Sequence, residues 1–141
     1  MRPPTANELV GPPPHCLDQQ RTLKIFLGKT QVEAEELCRV GTETECFTYM
    51  AAAGLCYYLP SAFNYLKSDA YENDWDFALS LMCRLSSQAT TLGTRGEPLV
   101  LIKRIANYCD THREKFGFDL KGAFAGRGEL FDKYLQEIRS A

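Results

Sequence analysis

Cys46-Phe47-Thr48-Tyr49-Met50-Ala51-Ala52-Ala53-Gly54-Leu55-Cys56-Tyr57-Tyr58-Leu59-Pro60-Ser61-Ala62-Phe63-Asn64-Tyr65-Leu66 runs from Glu45 to Lys67 without a charge. Twenty-one uncharged residues belong either in a bilayer or at the centre of a globule. Composition decides between the two. Gly54, Pro60, Asn64, Thr48 and several tyrosines lie within the run, and only Leu55, Leu59 and Leu66 are branched aliphatics. A spanning helix needs about twenty mostly strongly apolar residues, and a proline in mid-bilayer interrupts its hydrogen-bond ladder. The run is therefore expected to be buried core, with no membrane as partner.

Within it, the residue before a proline is pushed out of the α region. The chain is thus expected to bend at Tyr57–Leu59, with Pro60 in the first turn of a new helix reaching about Ser68. The paired tyrosines are expected to turn their rings inward and hydrogen-bond their hydroxyls to nearby backbone. Ala51-Ala52-Ala53-Gly54 strips away side-chain bulk and would let another helix approach closely.

Upstream, Thr42-Glu43-Thr44-Glu45 has the form of a capping box and predicts a helix through Phe47 and Met50. Cys16–Leu27 suits a short helix stopped by Gly28. Thr30 precedes a helix over Gln31–Val40, with Val32, Leu37 and Val40 as its apolar face and Glu33, Glu35 and Glu36 opposed to them. Residues 1–14 hold five of the seven prolines, which favours an extended Pro-rich arm pinned by Leu9 and Val10.

Downstream, Asp69–Asp76 is an acidic connector in which Asn73 or Asp74 can cap a helix carrying Trp75, Phe77, Ala78, Leu81, Met82 and Leu85. Ser86–Gly96 reads as a loop. Pro98 opens a helix with Leu99, Ile102, Ile105, Ala106 and Cys109 on one face. Four glycines mark 117–128 as a connector, and Glu129–Arg139 forms a last amphipathic helix, either folded back or exchanged between the subunits of a homodimer. The fold class is all-α: a single domain over 1–141, a compact bundle of six to seven short helices.

The chain has 141 residues and a formal net charge of -2, with -5 over residues 1–80 and +3 over 81–141. The longest basic cluster is Lys103-Arg104, so no basic stripe points to nucleic acid. The N-terminus has no apolar h-region of a secretory signal. A cytoplasmic setting, in which the six cysteines stay reduced, is the expectation.

His15-Cys16 and Cys109-x-x-His112 together hold four nitrogen and sulfur ligands, the number a tetrahedral zinc needs. Their spacing is not that of zinc knuckles. Cys109 and His112 also form the only local thiol–base pair, without a recognisable oxyanion hole beside it. Gly122–Gly128 lacks the Gly-Lys-Ser/Thr ending of a phosphate loop. Asp69–Asp76 lacks the central glycine and final glutamate of an EF-hand loop. No catalytic residue, cofactor or metal is expected, and a small metal-binding or thiol-dependent enzyme using Cys109, His112, His15 and Cys16 is the alternative.

The order of a proline-containing lead-in (Pro3-Pro4 through Leu9-Val10), Phe26-Leu27-Gly28-Lys29, Tyr57-Tyr58-Leu59-Pro60-Ser61-Ala62 and a late helix near Leu99–Tyr108 resembles a bacterial helical family of unknown function. The resemblance covers about residues 3–110. It implies a small bacterial helical protein and supplies no catalytic residues.

Small size and acidic segments instead suit a non-catalytic immunity- or antitoxin-like protein that neutralises a toxin or effector with a basic surface. Glu33, Glu36, Asp69, Glu72, Asp74 and Asp76 are the expected partner-binding residues.

Overall fold

The computed structural model describes residues 2–40, 43–69, 75–119 and 125–141. Its elements are α1 (Ala6–Val10), α2 (Leu17–Phe26), α3 (Gln31–Arg39), a 3-10 helix (Thr44–Tyr49), α4 (Ala52–Lys67), α5 (Trp75–Thr90), α6 (Gly96–Thr111) and α7 (Ala125–Arg139). There is no strand among the described residues, and the fold class is all-α as expected. Contacts group into two compact units, Met1–Tyr71 and Glu72–Ala141, each with its own core.

The first unit is organised by α4, and here the structure departs from the sequence expectation. Pro60 does not open a helix; it lies inside one continuous helix from Ala52 to Lys67. The break comes earlier, at Met50–Ala51, after the 3-10 helix. Burial explains the outcome. A mid-helix proline costs roughly 3 kcal/mol, whereas burying a Leu or Phe returns about 1.5–3 kcal/mol each. Leu55, Leu59, Phe63 and Leu66 are all buried on α4, so packing outweighs the local preference. The expected capping box begins at Thr42, outside the described residues, and Thr44–Tyr49 forms a 3-10 helix rather than an α-helix.

The N-terminal segment is not extended throughout. Thr5 accepts the Glu8 N–H at 3.3 Å and its own N–H donates to the Glu8 carboxylate at 2.9 Å. That reciprocal box starts α1 among the prolines. Leu9 and Val10 are buried, as expected of pinning residues. The Leu9 carbonyl accepts the Ala51 N–H at 2.7 Å, which ties α1 to the start of α4. Gly54 makes this approach feasible: a Cβ there would meet the Leu9 Cα and carbonyl oxygen at 2.8 Å.

The second unit packs α5, α6 and α7 around Phe77, Leu81, Leu85, Ile102, Ile105, Phe131 and Ile138. The final helix folds back on α5 and α6 of its own unit. The glycine connector is shorter than expected, because α7 begins at Ala125 and takes in Gly126 and Gly128. Gly128 lies against the Phe118 carbonyl oxygen with no room for a Cβ. Likewise α5 continues through Ser86 to Thr90 instead of ending in a loop. Buried Ser86 donates to the Glu137 carboxylate of α7, which explains a hydroxyl inside the helix interface. No helix among the described residues is long and apolar enough to cross a membrane.

Candidate functional site

The Tyr57–Ser61 turn of α4 holds the α2–α3 corner through a set of side-chain to backbone hydrogen bonds. Tyr58 is fully buried, and its hydroxyl lies 2.9 Å from the Phe26 carbonyl and 2.7 Å from the Lys29 carbonyl. Phe26 ends α2, and its carbonyl also accepts the Lys29 N–H at 3.0 Å, while Lys29 lies in the turn that leads to α3. Burial, with Tyr57 and Glu33 adding to it, pushes the Tyr58 hydroxyl up to about 12. Ser61 Oγ donates to the Gln31 carbonyl at 2.7 Å, and Gln31 Nε2 donates to the Tyr57 carbonyl at 2.7 Å. The expectation that this tyrosine pair turns inward to the backbone holds for Tyr58.

These bonds fix the first turn of α3. Thr30 and Glu33 add a capping box: the Thr30 N–H donates to the Glu33 carboxylate at 3.0 Å, and Thr30 Oγ1 accepts the Glu33 N–H at 3.2 Å. Bonding from the Thr30 backbone holds the Glu33 carboxyl below its ordinary range. Glu33 is therefore a cap first, not a spare surface charge. Glu35 pairs with Arg39 at 3.1 Å.

The buried side of α3 consists of Ala34 and Cys38. Val32 and Val40, expected in its core face, are instead 80% and 63% exposed. They share a helix stripe with exposed Glu36, at i, i+4 and i+8. The signal was present in the sequence, since Ala34 and Cys38 are also four apart and form the stripe of small residues that close packing on α4 needs.

Asp69 is exposed after the end of α4, and Glu72 and Asp74 lie outside the described residues. Asp76, on α5, pairs with Arg127 at 3.1 Å. Elsewhere in the first unit Glu8 pairs with Arg2, and Glu43 and Glu45 both pair with Arg21. Much of the acidic charge of the N-terminal half is thus engaged within the fold.

The enzyme alternative draws on Cys109, His112, His15 and Cys16. Cys109 is fully buried, and burial pushes its thiol up to about 12, away from the thiolate a nucleophile or metal ligand requires. His112 stacks on Tyr108 with ring centroids 4.1 Å apart, and its Nδ1 lies 2.9 Å from the Tyr108 carbonyl. His15 Nε2 lies 2.9 Å from the Gly11 carbonyl, and Cys16 is the N-cap of α2. Among the described residues no three His, Cys, Asp or Glu side chains are grouped to hold a metal ion.

In comparisons with known proteins, the chain matches no family model, no curated protein and no solved structure.

Proposed function

We propose that this protein works by binding another protein, as an immunity- or antitoxin-like protein of a bacterial cytoplasm that neutralises a toxin or effector with a basic surface. The observation that carries this reading is the outward side of α3, where exposed Val32 and, at the C-cap, exposed Val40 lie to either side of Glu36. Exposed apolar side chains beside a charge on an anchored element are compatible with recognition of a protein surface. The burial of Cys109 supports the same reading over thiol chemistry. Charge complementarity at Glu36 and Asp69 would speed encounter with a basic partner and leave the complex sensitive to salt.

Co-expression tests it. A toxin-domain protein encoded in the adjacent gene should arrest growth when expressed alone, and this chain should restore growth while forming a stoichiometric complex with it. A neighbouring gene of metabolic type, or continued arrest despite soluble expression of both proteins, contradicts the reading.

A further inference from the structure

We draw no further inference here: the strongest candidate, the side-chain cluster that the exposed Cys83 of α5 forms with Tyr134 and Glu137 of α7, holds a single thiol, and nothing among the described residues around it points to a ligand.

Discussion

Gln31 Nε2 donates to the Tyr57 carbonyl at 2.7 Å, three residues before the proline inside α4. Pro60 has no N–H, so the helical bond that would run from residue 60 to the Cys56 carbonyl, one residue before Tyr57, does not form. The Gln31 amide of the neighbouring helix thus adds a donor at the carbonyl next to the gap in the ladder. Gln31→Ala should therefore destabilise the protein by about 1–2 kcal/mol, the cost of a part-buried carbonyl losing a partner. Denaturant titration measures this. Gln31→Glu should cost at least as much, since a carboxylate cannot donate.

Tyr58 gives a pH-dependent prediction. Its folded pKa, raised to about 12 by burial, lies above the ordinary value of 10. The folded state therefore holds the phenolic proton more tightly than the unfolded chain. That contribution to stability is complete below about pH 10 and is lost as pH rises through about 12. Tyr58→Phe should flatten the alkaline fall in stability over this window. It should also lower stability at pH 7 by about 1–3 kcal/mol, because the Phe26 and Lys29 carbonyls lose the hydroxyl. Melting curves at pH 7 to 11.5 check both.

Much of this fold is legible from composition and local signals. Gly28 and Thr30 mark the α2–α3 corner, and Ala51–Gly54 marks a close approach, which Leu9 fills. The illegible parts depend on long-range burial. The local rule sets Pro60 at the start of a helix because it carries no knowledge of the four buried apolar side chains around it. Phe116 and Phe118 lie in the segment after α6, where no local pattern gives them a role, yet both are buried, and Phe118 stacks on Phe131 at 4.1 Å. The outward stripe of α3 is hidden for the opposite reason. Valine reads as core, and only the competing Ala34–Cys38 stripe shows that α3 turns its smaller residues inward.

Two glycines should resist substitution. Gly54→Ala places a methyl against the Leu9 backbone, and Gly128→Ala places one against the Phe118 carbonyl. Backbone cannot rotate away as a side chain can. Each change should cost about 1–3 kcal/mol by overpacking. Gly126→Ala, with open space at its Cβ position, should be neutral or stabilising by about 0.5–1 kcal/mol as a helix residue. Thermal melts of the three variants separate these outcomes.

Thiol labelling should divide the cysteines by burial. Cys16 and Cys83 are exposed and should react within seconds with an aromatic disulfide reagent at pH 8. Cys38, Cys46 and Cys109 are buried, and burial raises the thiol pKa of the last two. These three should react only as the chain unfolds. Rapid labelling of Cys109 in the native protein would reopen the thiol-enzyme alternative.

The most direct test of the anchored α3 is amide hydrogen exchange on the double variant Gln31→Ala/Ser61→Ala, which removes both bonds between the first turn of α3 and α4. The structure predicts exchange across Gln31–Arg39 at least tenfold faster than in the parent, with α5 protected as before. Unchanged protection of α3, or an equal loss across α3 and α5, would contradict it.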